Sequence, residues 1–118
     1  MNRVLIVDDQ PAFRAHLRQL LTLAGLVVVG EASDIPEAEA QVQALQPDLA
    51  VVDVFLPGVN GLQGVPRLKV TRPALRVVLV SACCEPPAVL QAAATEAGAE
   101  AFIPKDDLEL DVVRAWKE

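Results

Sequence analysis

The chain alternates two kinds of segment. Short apolar runs, Val4-Leu5-Ile6-Val7, Leu49-Ala50-Val51-Val52, Val77-Val78-Leu79-Val80 and Ala101-Phe102-Ile103, carry no polar position. Runs without alternation fit strands buried on both faces, as in a parallel sheet. With the more polar 27–32, they predict five strands. Between them, apolar residues recur at helical spacing. Phe13, Leu17, Leu20, Leu21 and Ala24 predict a first helix over 11–24, opened by Pro11 and stopped at Gly25, with Arg14, His16 and Arg18 toward solvent. Ser33 and Asp34 open a second helix that runs to about residue 45, with Ile35, Ala38, Val42 and Leu45 inward. Gly64 and Pro66 weaken the third pattern, so a regular helix is expected only over 65–70, with Arg67, Lys69 and Arg72 on a solvated basic face. Glu85-Pro86-Pro87 opens an alanine-rich fourth helix that ends before Gly98. The fifth is expected over 107–117, with Leu108, Val112, Ala115 and Trp116 inward.

Five strands alternating with five helices through short connections predict an α/β fold, a parallel sheet covered on both faces. Of the doubly wound orders, 2-1-3-4-5, the flavodoxin-like one, suits five strands, and its switch point lies between strands one and three. The residues at the strand ends carry the candidate chemistry. Strand one ends at Asp8-Asp9, strand three at Asp53, strand four at Ser81 and strand five at Pro104-Lys105. Pro57-Gly58 and Asn60-Gly61 mark the loop after Asp53. The topology therefore places Asp8, Asp9 and Asp53 at one crevice.

At 118 residues the chain reads as one domain spanning 1–118. Its 53% hydrophobic content supports a core, and 3% aromatic content makes that core aliphatic. The net charge of −6 argues against direct contact with nucleic acid, which needs a basic face. The first apolar run is too short for a secretory signal, and no stretch has the length of a membrane span, so a cytoplasmic chain with no membrane partner is expected. Cys83 and Cys84 are adjacent, a poor arrangement for a disulfide, and two cysteines alone do not make a zinc site. They read as reduced structural thiols. His16, the only histidine, reads as a surface residue.

Three carboxylates packed together stay ionised only beside a cation. Oxygen ligands without histidine or cysteine favour a hard ion such as Mg²⁺, which typically takes one or two carboxylates plus water and phosphate. Lys105 supplies a point charge for a phosphoryl oxygen and Ser81 a hydroxyl donor. Asp53, in the central position, can act as a nucleophile. No glycine-rich nucleotide loop is present, which argues against bound ATP as the donor.

The acidic pair Asp8-Asp9, the segment Asp53-Val54-Phe55-Leu56-Pro57-Gly58 with Gly61, Ser81-Ala82 and Pro104-Lys105, in that order and spacing, resemble the receiver domain of two-component response regulators. The resemblance implies that Asp53 accepts a phosphoryl group from a phosphohistidine of a sensor kinase. It implies Mg²⁺ held by Asp9, Asp53 and the carbonyl of Phe55, with Asp8 acting through water. Lys105 would hold a phosphoryl oxygen and Ser81 would move to meet another, while Phe102 matches the aromatic that swings inward with the hydroxyl. Helix four, strand five and helix five would form the readout face toward an output domain or protein, and two copies would pair on phosphorylation. Phe55 and Cys83 match positions that tune loss of the phosphoryl group. Neither can orient water as an amide or acid would, so slow self-dephosphorylation is expected.

Val29-Gly30-Glu31-Ala32-Ser33 and Pro104-Lys105-Asp106 look most like the subfamily joined to a C-terminal helix-turn-helix DNA-binding domain, which points to a transcriptional output. Two competing readings remain. An aspartyl phosphatase of the haloacid-dehalogenase type would carry Asp-x-Asp after strand one and a cap insertion, and this chain has neither. A receiver-like binding module that works without phosphorylation would share every residue above. The phosphotransfer reading describes a switch rather than a turnover enzyme.

Overall fold

The computed structural model describes residues 2–82 and 87–117. Five strands, β1 (Arg3–Val7), β2 (Val27–Ala32), β3 (Leu49–Asp53), β4 (Arg76–Ser81) and β5 (Ala101–Pro104), form one sheet in the order β2-β1-β3-β4-β5. Every neighbouring pair is parallel. The helices are α1 (Pro11–Leu23), α2 (Ile35–Leu45), α3 (Gly61–Thr71), α4 (Pro87–Ala97) and α5 (Leu110–Arg114).

Alternate residues of each central strand feed two separate cores. Leu5, Val7, Ala50, Val52, Val77 and Leu79 point to the face covered by α2, α3 and α4, where Ile35, Val42, Val65, Leu68, Leu90 and Ala94 meet them. Val4, Ile6, Leu49, Val51, Val78 and Val80 point to the opposite face, where Leu17 and Leu21 of α1 pack with Val113 and Trp116. Burial on both faces explains why these strands show no apolar–polar alternation.

Two helices differ from the sequence expectation. The third is regular from Gly61 to Thr71, with Pro66 inside it, rather than over 65–70. Its start is fixed by a capping box: the Asn60 side chain accepts from the Gln63 N–H at 2.8 Å, and the Gln63 side chain accepts from the Asn60 N–H at 3.2 Å. Gly64 is buried against Ile35, so it permits close packing with α2. Both arginines after it are engaged: Arg67 pairs with Glu39 at 2.6 Å, and Arg72 donates to the Pro47 carbonyl at 2.7 Å. The fifth helix is only Leu110–Arg114, because Lys105–Asp107 forms a 3₁₀ turn and Leu108 is extended. Leu108 and Trp116 are buried as expected, but Val113 is fully buried beside a partly buried Val112, and Ala115, expected inward, is exposed. The inward face of α4 is set by Leu90 and Ala94. Its expected opening at Glu85-Pro86, like Cys83 and Cys84, lies outside the described residues.

The edge of the sheet where the strands begin is pinned by arginines. The Arg3 guanidinium donates to the Gln46 carbonyl at 2.8 Å. Arg76 binds Glu100 through both Nε, at 2.8 Å, and Nη2, at 2.7 Å, and its Nη1 reaches the Trp116 carbonyl at 2.9 Å. These contacts tie the start of β4 to the approach to β5 and to the residues after α5.

At the other edge, where the strands end, Gly61 backs onto the Asp53 carbonyl, and any side chain there would collide with that backbone. Its N–H donates to the Val54 carbonyl at 2.8 Å. Gly61→Ala is therefore expected to cost about 1–3 kcal/mol through overpacking. Urea denaturation would measure it, and an unchanged midpoint would show that the contact is loose.

Candidate functional site

Each candidate residue sits at the end of a strand, so strand register sets their separation. Val7 pairs with Val52, Asp53 with Val80, and Ser81 with Pro104. The register thus brings the residues after β1 and β5 level with the last residues of β3 and β4. Carboxylate oxygens of Asp8, Asp9 and Asp53 lie within 4.8 Å of one another. An open cavity of about 270 Å³ lies above them, lined by Asp9, Gln10, Asp53, Phe55, Ser81, Ala82 and Lys105.

The two buried acids are held alike. Asp8 Oδ1 accepts from the N–H of Gln10 at 2.8 Å, and Asp53 Oδ1 accepts from the N–H of Phe55 at 3.2 Å. In both, a carboxylate bonds the backbone two residues on, an Asx turn that aims the other oxygen away from its own loop. Those second oxygens converge on Lys105, whose Nζ is 2.8 Å from Asp8 Oδ2 and 3.6 Å from Asp53 Oδ2. Asp8 is 1% exposed and Asp53 5%, while Asp9 is exposed at the mouth. The contact to Asp8 is charge against charge rather than an aligned bond, for Asp8 Oδ2 has no hydrogen-bond donor of good geometry.

Burial pushes the Asp53 carboxyl above the ordinary carboxylate range. The Lys105 ammonium and the Phe55 N–H pull it back, and Asp8 and Asp9 push it further up. Three carboxylates against one ammonium leave the crevice negative.

The structure brings Asp8, Asp9, Asp53, Ser81 and Lys105 together, as their strand-end positions predict. Ser81 is buried in the cavity wall. Phe55 is 51% exposed at the cavity mouth, and Phe102 is buried in the core beneath α4. Four further contributors were not expected. Gln10 lines the cavity. Arg14, expected to face solvent, donates to the Asp8 carbonyl at 2.6 Å and to Glu31 at 2.9 Å. Arg18 pairs with the same carboxylate, and its hydrogen bond does most to hold Glu31 below the ordinary carboxylate range. Phe13, expected in the core, also places its ring 4.0 Å from Lys105 Nζ. The Asp-x-Gln-Pro order hints at the Gln10 turn, but nothing local in the sequence links Arg14 to β2 or Phe13 to Lys105.

The model of the response regulator receiver domain matches residues 4–114. The chain belongs to that family. Among curated relatives, the probable transcriptional regulatory protein NarL of Mycobacterium tuberculosis is 39% identical over 114 residues, covering 96% of this chain and 52% of NarL. The chemotaxis protein CheY of Thermotoga maritima is 35% identical over 103 residues, covering 87% of this chain and 84% of CheY. The solved signal receiver domain of the M. tuberculosis NarL superposes with a TM-score of 0.84 at 35% identity, covering 97% of this chain and 90% of that one. The receiver domain thus spans about half the length of NarL. Among the described residues no helix is long and apolar enough to cross a membrane.

Because burial disfavours the charged form of Asp53, Asp53→Asn is expected to be the more stable protein at pH 7.5 without divalent ions, by about 1 kcal/mol. The sign follows from a folded pKa above the ordinary 3.8: the penalty is full above the folded value and gone below 3.8. The gap between variant and wild type should therefore close as the pH falls toward 4. Denaturant titrations across that range would show it, and a gap that widens toward acid would contradict the assignment.

Proposed function

We propose that this receiver domain, spanning 1–118, is a phosphorylation-dependent switch in which Asp53 accepts a phosphoryl group from a phosphohistidine of a sensor kinase. The observation that carries this reading is the cavity itself. The carboxylate of Asp53 forms its wall together with an acid, a hydroxyl and an ammonium, those of Asp9, Ser81 and Lys105. An Asp53 carboxylate oxygen attacks phosphorus, and the P–N bond to the donor imidazole breaks. The electron pair returns to the ring nitrogen, which takes up a proton. Lys105 holds one oxygen of the transferred group, and the Ser81 hydroxyl moves to donate to another.

The donor set fits Mg²⁺. Three carboxylates offer hard oxygen ligands, one ammonium leaves two of their charges unbalanced, and buried Asp8 Oδ2 has no aligned donor. Asp9, Asp53 and the Phe55 carbonyl would hold the ion, with Asp8 acting through water. When bound, it supplies charge neutralisation at the phosphoryl oxygens.

Movement of Ser81 opens space toward β5, into which Phe102 swings. The face formed by α4, β5 and α5 changes, and that change controls an output partner, with pairing of two copies on phosphorylation. The names of NarL and of the similarly matched DNA-binding activator DevR/DosR favour a transcriptional output, and a switch of that kind works in the cytoplasm. Exposed and apolar, Phe55 at the cavity mouth cannot orient an attacking water, so phosphoryl loss without a partner is slow.

Incubation with Mg²⁺ and acetyl phosphate is expected to give one phosphoryl adduct by intact mass, absent in Asp53→Asn. Turnover without an adduct would instead indicate a phosphatase, and neither adduct nor turnover would leave a binding module. Millimolar Mg²⁺ alone is expected to raise the thermal midpoint, because it binds the native state only. An unchanged midpoint would count against a preformed metal site.

A further inference from the structure

Lys105 is enclosed more tightly than its charge requires. Its side chain is only 9% exposed. Asp8 and Asp53 face its ammonium at 2.8 and 3.6 Å, and the ring of Phe13 lies 4.0 Å away from it. Phe13 is the third residue of α1, half-buried at the end of the apolar stripe that packs on the sheet. It is therefore anchored by the helix and reaches past the sheet edge. The face of an aromatic ring carries negative potential, and it attracts a cation within about 6 Å, more so when water is excluded.

We infer that Phe13 is a positioning residue for Lys105: its ring holds the ammonium against Asp8 and so sets how readily Lys105 yields the acidic crevice to a divalent cation. Lys105 and a divalent cation compete for the same carboxylates. Asp8 Oδ2 faces the ammonium, and the same carboxylates are the hard oxygen donors of the crevice. A divalent cation arriving there is repelled by an ammonium that stays beside Asp8. Whatever stabilises Lys105 at Asp8 in the metal-free state weakens metal binding by the same factor. The ring does this without touching the metal or the phosphoryl group. The inference rests on the reading of the crevice as a Mg²⁺ site only for its consequence; the contact between ring and ammonium stands apart from it.

The test has two parts. In metal-free protein, the ε-methylene protons of Lys105 should be shifted upfield by the ring current of Phe13. That shift should vanish in Phe13→Leu and persist in Phe13→Tyr. An unshifted wild-type signal overturns the inference whatever Mg²⁺ does. Mg²⁺ affinity is then measured by chemical-shift titration. Phe13→Leu should bind Mg²⁺ about threefold to tenfold more tightly than wild type, and Phe13→Tyr should stay near wild type. The same change made in a Lys105→Met background should have no effect on affinity. If Phe13→Leu leaves the wild-type affinity unchanged, or tightens binding equally without Lys105, the ring is mere packing and the inference fails. If wild type binds no Mg²⁺ at all, the metal-site reading fails instead, and the ring-current measurement still decides the contact.

Discussion

A carboxylate can lie at the end of a strand buried on both faces only if a positive charge comes to meet it. Asp8 and Asp53 are such carboxylates, and the charge that reaches them is Lys105. The lysine arrives from the far side of β4, which is possible because β5 runs parallel to the other strands and ends at the same edge. Were any of these strands reversed, its polar end residue would lie about 15 Å away, at the opposite edge. The parallel order, the level strand ends and the ion pairs are thus one constraint seen at three scales.

That constraint is also why so much could be read from the chain. The fully apolar runs at Val4, Leu49 and Val77 marked the buried strands, and the polar residue closing each run marked the site. What escaped lies where distant contacts override local preference. Pro66 argues against a helix through its neighbours, yet the Asn60–Gln63 box starts one ahead of it and Gly64 seats it on Ile35. The turn at Lys105–Asp107 shortens the last helix, so Val113 is fully buried while Val112 packs only partly against the same core. Arg14 and Phe13 look like ordinary solvent and core positions of an amphipathic helix. Their partners, Asp8 with Glu31 and Lys105, are set by the tertiary structure alone.

The site is costly to the fold that holds it. Burial penalises the Asp53 charge, and the pair beside it adds repulsion. Such a crevice does not favour the empty domain, which fits a general trade between stability and function. The protein offsets the cost locally, with one ammonium, two Asx turns and an aromatic face, rather than by removing charge.

The arginine contacts at the strand starts give the sheet a mechanical asymmetry. Arg3 and Arg76 fasten one margin, down to the carbonyl of Trp116. The opposite margin is tied on its β1–β2 side, where Arg14 joins the Asp8 carbonyl to Glu31, and is looser on the side of β4 and β5, around a charged hollow. A plate clamped along one side bends at its free side. Stress introduced at the hollow should therefore be relieved as displacement along that rim, toward α4 and β5, while the fastened margin acts as the fixed support against which the rim moves.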